Sequence, residues 1–367
     1  MHQQRMIFLH SSDELYGADR ILLELLVALP PGTDAEVWLP TDLKHPARPL
    51  CERLHADGRT VRHVDLPIMR RAYQTPSGLV GLTRRAESLR RELRRADPHS
   101  VYCTTSAAFL CAPVARLAGV PRVFGHVQEI WSRADRAVLG ALATACHELL
   151  VISQAVRVSL PARLQSRTTA LLNATEAPRE VVPLTDHSGS LTFVIASRWN
   201  GWKGYPTLLR AWDLADSPGR LIILGGPPPS GDRVDVPRLV AELDRPDSVT
   251  LVGEVDDSSS YLTDADVVLV PSDRPEPFGL VAIEAFARAR PVIASAAGGL
   301  LEIVTHAENG WLFPVGDADA LARVLLTLSR PQVTTAGIAA RRTFEDRFTI
   351  GRLRDEWRQA VFGSQLN

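Results

Sequence analysis

The chain has 367 residues, 45% of them hydrophobic, with 41 basic and 42 acidic side chains and a net charge of −1. Such a composition excludes a disordered chain, which could not bury a core, and a general nucleic-acid binder, which needs a basic surplus. The length predicts two domains, and no apolar run approaches the ~20 residues that span a bilayer.

Strands are expected in the first half at Met6–His10, Ala35–Leu39, Arg59–Asp65, Ser100–Cys103, Arg122–His126 and Glu148–Ser153. Helices are expected between them at Ala18–Ala28, Pro46–Ala56, Gly78–Ala96, Ala107–Ala118 and Arg133–Ala145. The second half repeats the alternation. Its strands fall at Leu191–Ser197, Arg220–Leu224, Val249–Val252, Val267–Val270, Pro291–Ala294 and Gly310–Phe313. Its helices fall at Tyr205–Leu214, Val236–Leu243, Ser258–Thr263, Gly279–Ala289, Leu300–Val304 and Ala318–Leu328. The closing stretch Arg341–Phe362 reads as one helix, free to cross back to the first domain. Short, nearly continuous apolar strands alternating with helices predict parallel α/β sheets covered on both faces.

The polar segment at about 174–190, rich in Pro, Ser and Thr, reads as the linker. The expected domains are therefore 1–175, 188–345 and a returning helix at 346–367, with a ligand cleft between two doubly wound domains. Residues 1–180 hold 23 basic and 18 acidic groups, and residues 181–367 hold 18 and 24. The N-terminal apolar stretch Met6–Leu9 is too short for a signal peptide. Cys51, Cys103, Cys111 and Cys146 show neither a C-x-x-C pair nor zinc spacing, so a cytoplasmic protein with free thiols is expected.

The informative segment is Pro271–Ala285. Pro275 and Pro277 hold Glu276 on a loop, because proline lacks the amide donor and clashes with the preceding helical turn. A helix follows from Phe278-Gly279, where the missing side chain lets free amides approach an anion. Glu284, within that helix among Val281, Ile283 and Ala285, is an odd place for an unpaired carboxylate. Contact with two ribose hydroxyls would explain it. Ser197–Gly204 is a strand-to-helix loop carrying Arg198 and Lys203, one of only two lysines in the chain. Two cations at such a turn suit a diphosphate.

These segments resemble the retaining glycosyltransferases of family 4, which have the GT-B fold: two Rossmann-like domains facing each other across a cleft. Glu276 through Glu284 is similar to the E-x7-E signature, including the Pro-Phe-Gly-Leu within it. Arg198 and Lys203 match its R…K-G pair, and Gly298-Gly299 with Glu302 and Asn309–Leu312 match its later segments. In the first half, Tyr16–Arg20 resembles the glycine-rich start of the first helix, with Tyr16 in place of a glycine and Asp19 in place of glutamate. Gly125–Glu129 resembles a histidine-bearing strand end.

The resemblance implies sugar transfer from a nucleotide diphosphate sugar with retention, front-face attack, and proton transfer to the leaving phosphate. It assigns Glu276 and His126 to the donor sugar, Glu284 to the ribose, and Arg198 and Lys203 to the diphosphate. Gly17, Phe278, Gly279 and Leu280 would lie near the phosphates. Gly225, Val252 and Glu254 would approach the nucleotide from other strand ends. His10, Ser11, Arg70, Arg71 and Tyr73 are candidates for the acceptor. No cofactor and no metal are expected, because cations and amides take the metal's place. Asp264-Ala265-Asp266 and Asp317-Ala318-Asp319 spell D-x-D, but both fall where caps and strand starts are expected.

The donor base stays open between UDP, GDP and dTDP. The acceptor stays open between a cell-envelope glycan, a glycolipid and a small molecule. Two other functions share this sequence signal: a nucleotide-sugar epimerase or hydrolase on the same fold, and a non-catalytic nucleotide-sugar-binding subunit. The arginines at 84, 85, 90, 91, 94 and 95 read as a solvated helix face or, alternatively, as a peripheral contact with an anionic membrane.

Overall fold

The computed structural model describes residues 5–42, 48–70, 73, 75–184, 189–228 and 232–363. The chain divides into two compact units, one of residues 1–173 with 351–367 and one of residues 174–350.

In the first unit the elements run β1 (Arg5–Leu9), α1 (Gly17–Val27), β2 (Asp34–Pro40), α2 (Pro49–Ala56), β3 (Thr60–Val64), α3 (Pro76–Ala96) and β4 (Ser100–Cys103). They continue with α4 (Cys111–Ala118), β5 (Arg122–Val127), α5 (Arg133–Ala143), β6 (Glu148–Val151), α6 (Gln154–Ser159), α7 (Ala162–Gln165) and β7 (Thr168–Ala170). The sheet order is β3-β2-β1-β4-β5-β6-β7, with parallel pairing throughout. The chain winds outward from β1 in both directions, so the order reverses between β1 and β4.

The second unit repeats this plan. Its elements are β8 (Leu191–Ala196), α8 (Tyr205–Leu214), β9 (Gly219–Leu224), α9 (Val236–Ala241), β10 (Val249–Gly253), α10 (Ser259–Asp264) and β11 (Val267–Val270). Then come α11 (Leu280–Ala287), β12 (Val292–Ser295), α12 (Leu300–Ile303), β13 (Gly310–Phe313), α13 (Ala318–Thr327) and α14 (Arg330–Arg347). The parallel order is β10-β9-β8-β11-β12-β13, and the reversal lies between β8 and β11. Every residue of β4, β11 and β12 is buried, as expected for strands covered on both faces. Two doubly wound parallel sheets are what the alternating pattern predicts.

Two expected helices break. The stretch Ala107–Ala118 becomes a 3-10 turn at Ser106–Ala108 followed by α4. Pro113 has no amide to bond the Phe109 carbonyl, so a helix cannot continue through both. The single helix expected over Arg341–Phe362 is instead the end of α14 and a separate α15 (Ile350–Phe362). Between them Phe348 is fully buried against the edge of Phe278, and its carbonyl accepts from the Thr175 amide at 3.2 Å. Backbone pairing of Thr175 with Thr349 draws the chain out of the helix there. The short elements α6, α7 and β7 carry too little periodicity to be expected from sequence.

α15 belongs to the first unit. Its Trp357 is fully buried, with ring centroids 6.2 Å from Phe8, 6.0 Å from Tyr102 and 5.7 Å from Phe362. Arg122 donates to the Val361 carbonyl at 2.8 Å, and Arg354 pairs with Glu24 at 2.6 Å. Among the described residues no helix is long and apolar enough to cross a membrane.

Candidate active site

In a doubly wound sheet the loops at the point of reversal diverge, and the crevice at the strands' carboxyl ends takes the ligand. In the second unit those loops are Ser197–Gly204 after β8 and Pro271–Gly279 after β11. They bring together Lys203 and Glu276, whose Nζ and Oε1 lie 2.7 Å apart. Ser272 Oγ donates to the same carboxylate oxygen at 2.5 Å. Glu276 is only 6% exposed, and these two donors satisfy its buried Oε1. Lys203 also stands over the Trp202 ring, 4.1 Å from its centroid.

Glycines let the loops close up around this pair. Gly204 has φ +75°, and a Cβ there would lie 1.8 Å from the Pro271 carbonyl oxygen. The β8 and β11 loops therefore touch through backbone. On the other side Gly298, at φ +64°, leaves no room for a Cβ beside the Glu276 carbonyl, and the Gly299 amide donates to that carbonyl at 2.7 Å. The paired glycines matched in sequence thus clamp the loop that carries Glu276.

Gly279, at φ +119°, caps α11 in a left-handed conformation that suits glycine. The helix starts at Leu280; the Ala282 amide donates to the Gly279 carbonyl at 3.0 Å, and helix geometry leaves the Leu280 and Val281 amides without a partner in the helix. The Phe278 side chain is buried against Phe348, so only its backbone is offered to a ligand. Glu284 is half-buried, one turn before Arg288, whose positive charge acts on it. Gly225, at φ +112°, donates to the Gly253 carbonyl at 2.7 Å and approaches the Ser197 backbone as closely as glycine allows. The ends of β8, β9 and β10 meet there, with Val252 half-buried and Glu254 exposed. Arg198 is half-buried in the loop after β8. The second sheet thus brings the candidates from residues 198–284 together at the carboxyl ends of its strands, whereas Gly17 and His126 lie in the first unit.

Sequence reasoning missed two members of this region. Ser272 gives no motif signal, though it lies four residues before Glu276. Asp273 accepts from Thr207 Oγ1 at 2.8 Å and ties the same loop to α8. The D-x-D segments have structural partners, and only the second caps a helix. Asp266 accepts from the Thr192 amide and pairs with Arg330 at 2.7 Å, and Asp317 accepts from the Ala320 amide.

The first unit places its candidates in three groups. His10 is fully buried, with Nε2 2.6 Å from Asp19 and Nδ1 2.7 Å from Thr104. Asp19 in turn accepts from the Tyr16 amide at the start of α1, beside Gly17. His10 was expected at the acceptor, but both its nitrogens are engaged in tying β1, β4 and α1 together.

Ser11, Arg70 and Tyr73 gather around Asp42, which the sequence did not mark. Arg70 grips both Asp42 oxygens at 2.8 and 2.9 Å and donates to the Ser11 carbonyl at 3.0 Å. Tyr73 donates to Asp42 at 2.7 Å. Burial opposes charge on Asp42, but Arg70, Tyr73 and Arg85 together hold its carboxyl below the usual range. Arg71 lies outside the described residues.

His126 is fully buried at the end of β5, with Nδ1 3.1 Å from the Tyr102 hydroxyl and Nε2 buried without a partner. Burial drives its pKa down to about 3, so the ring is neutral. On α3, Arg90 and Arg91 bond Glu87 and hold that carboxyl down to about 2, and Arg95 bonds Glu92. Arg85 reaches Asp42 and Asp65. Such internal pairing favours the solvated-face reading of this arginine run.

Residues 182–336 match the family model described as glycosyl transferases group 1. The amylovoran biosynthesis glycosyltransferase AmsK of Erwinia amylovora is 37% identical over 118 residues, which is 30% of this chain and 29% of that protein. The D-inositol 3-phosphate glycosyltransferase of Saccharomonospora viridis is 36% identical over 197 residues, 47% of this chain and 43% of that protein. The chain thus spans less than half the length of these curated relatives. The solved structure of Anabaena HepE in complex with UDP superposes with a TM-score of 0.81 at 20% identity, covering 98% of this chain and all of that one. The fold is therefore that of the GT-B glycosyltransferases, and the stretch that resembles the group 1 family lies within the second unit.

Proposed function

We propose that the chain is a retaining glycosyltransferase that moves a sugar from a nucleotide diphosphate sugar to an acceptor hydroxyl without a metal ion. The observation that carries this reading is the Lys203–Glu276 pair at the reversal point of the second sheet, beside the open amides of α11. A departing diphosphate gathers negative charge. Lys203, Arg198 and those amides stabilise it where it develops, which is the work a metal does elsewhere. Glu276 orients the sugar hydroxyls, and the assignment of His126 to the donor sugar rests on the family resemblance alone. The acceptor's proton passes to the leaving phosphate.

The first unit takes the acceptor, with Ser11, Arg70 and Tyr73 at its strand ends. Relatives named for amylovoran and lipopolysaccharide core synthesis support a cell-envelope glycan as acceptor. The HepE structures described with UDP and with UDP-glucose support a UDP-sugar as donor.

Thermal shift against UDP, GDP, dTDP and their sugars tests the donor, because ligand bound to the folded state raises the midpoint. Transfer followed by NMR of the anomeric proton, with chelator present, tests the chemistry. A retained configuration and undiminished rate are expected. Inversion, or arrest by chelator, would overturn the corresponding part. Epimerised donor in the absence of acceptor would favour an isomerase.

A further inference from the structure

In the first unit, three side chains from separate elements each turn one donor atom towards a common point. They are Asp13 in the loop after β1, Cys51 on α2 and His63 on the edge strand β3. A carboxylate oxygen, the thiol sulfur and an imidazole nitrogen all lie within 4.8 Å of one another. Asp13 and Cys51 are each 5% exposed, while the His63 side chain is one-third exposed and leaves a path for entry.

The carboxylate is held in place. Asp13 Oδ1 accepts from the Cys51 amide at 2.9 Å, and Oδ2 is left 3.8 Å from His63 Nε2. That separation is too long for a hydrogen bond. It is close to the roughly 3.3–3.6 Å expected between two ligand atoms on one tetrahedral zinc ion, from metal–ligand distances of about 2.0–2.3 Å. His55 lies one helical turn beyond Cys51, on the same face of α2, with Nδ1 4.0 Å from Sγ. It is not one of the three groups whose donor atoms gather within 4.8 Å of one another.

We propose that Asp13, Cys51 and His63 form a zinc site in the first unit, with a solvent molecule in the fourth position. A thiolate and a carboxylate neutralise a divalent cation, and a neutral imidazole and a solvent molecule complete a tetrahedron. The mixture of sulfur, nitrogen and oxygen suits zinc and disfavours magnesium or calcium, which take oxygen ligands. The ion fastens the loop after β1 to α2 and β3. All four cysteines are free, so no disulfide does this. The site is structural and independent of the sugar-transfer reading.

The test uses the full chain without a histidine tag, stripped of metal and titrated with Co²⁺, then with Zn²⁺. One equivalent should produce tetrahedral visible bands with a thiolate-to-cobalt charge-transfer band, and Zn²⁺ should displace it. Cys51→Ser should abolish the charge-transfer band. His63→Ala should weaken binding by more than the roughly 10–100-fold that loss of an outlying partner costs. Cys146→Ser should leave the titration unchanged. Far-UV circular dichroism checks that each variant folds, and the partly exposed His63 provides the milder change. Wild-type chain with no charge-transfer band, or a band that survives Cys51→Ser and His63→Ala, would overturn the proposal.

Discussion

Lys203 and Glu276, 73 residues apart in the chain, meet at 2.7 Å where the strand order of the second sheet reverses. The pair gives a cation for a diphosphate and a fixed carboxylate for a sugar in one contact. Replacing Lys203 with Ala, or Glu276 with Gln, should each lower kcat/KM by roughly 10²–10³-fold, the usual cost of losing one electrostatic donor at a transition state. Lys203→Arg keeps the charge and should retain part of the rate. Steady-state kinetics with the donor named by thermal shift measures this, and rates within a factor of a few of wild type would remove both residues from the mechanism.

Two glycines separate close approach from backbone strain. Gly204 and Gly253 have similar φ, +75° and +92°, but a Cβ at Gly204 strikes the Pro271 carbonyl whereas at Gly253 it meets nothing within 4 Å. Gly253→Ala should therefore cost only strain, about 1 kcal/mol. Gly204→Ala should cost clearly more and displace Lys203 as well. Denaturant unfolding of both variants checks the difference, and equal losses would contradict the contact between the β8 and β11 loops.

His126 should make the fold acid-sensitive. Its folded pKa is pushed down to about 3 by burial, against an ordinary 6.5. Below 6.5 the unfolded chain takes up a proton that the folded chain refuses. This contribution to stability is fully present above pH 6.5 and is lost as pH falls towards 3, approaching about 1.4 kcal/mol per pH unit well inside that window. His126→Phe should flatten the slope there. Unfolding free energy measured across the window tests it; a slope unchanged in the variant would place the proton elsewhere.

Trp357→Ala should cost about 3–5 kcal/mol, the range for removing a large aromatic from a core. The loss should appear in the first unit, because Trp357 packs on Phe8 of β1 and Tyr102 of β4. Hydrogen exchange resolved along the chain should show faster opening of β1 and β4, with β8 and β11 little changed.

Much of the fold was legible because burial on both faces leaves a plain mark. Val267–Val270 is apolar throughout, with bounds that match the observed strand. The residues put forward for the donor site were easy to group because Glu276, Lys203 and the glycines fall within short loops, each local in sequence. Asp42 was not, since its partners Arg70, Tyr73 and Arg85 come from distant segments and share no spacing with it. His10 misled for a related reason: a histidine at a strand end looks the same whether it faces a ligand or locks β1 to α1. Asp13, Cys51 and His63 escaped notice because three elements converge on them, and only the i, i+4 spacing of Cys51 and His55 hinted at a face.

The return of α15 to the first unit has a consequence for the order of folding. Residues 174–350 form the second unit as one unbroken stretch, so it can complete its core as soon as that stretch is free. The first unit is synthesised earlier but lacks Trp357 until the whole of the 174–350 stretch has been added. Nascent chains that stop short of α15 should therefore hold a finished second sheet and a first sheet whose Phe8 and Tyr102 still face water. The part made first is the part that matures last.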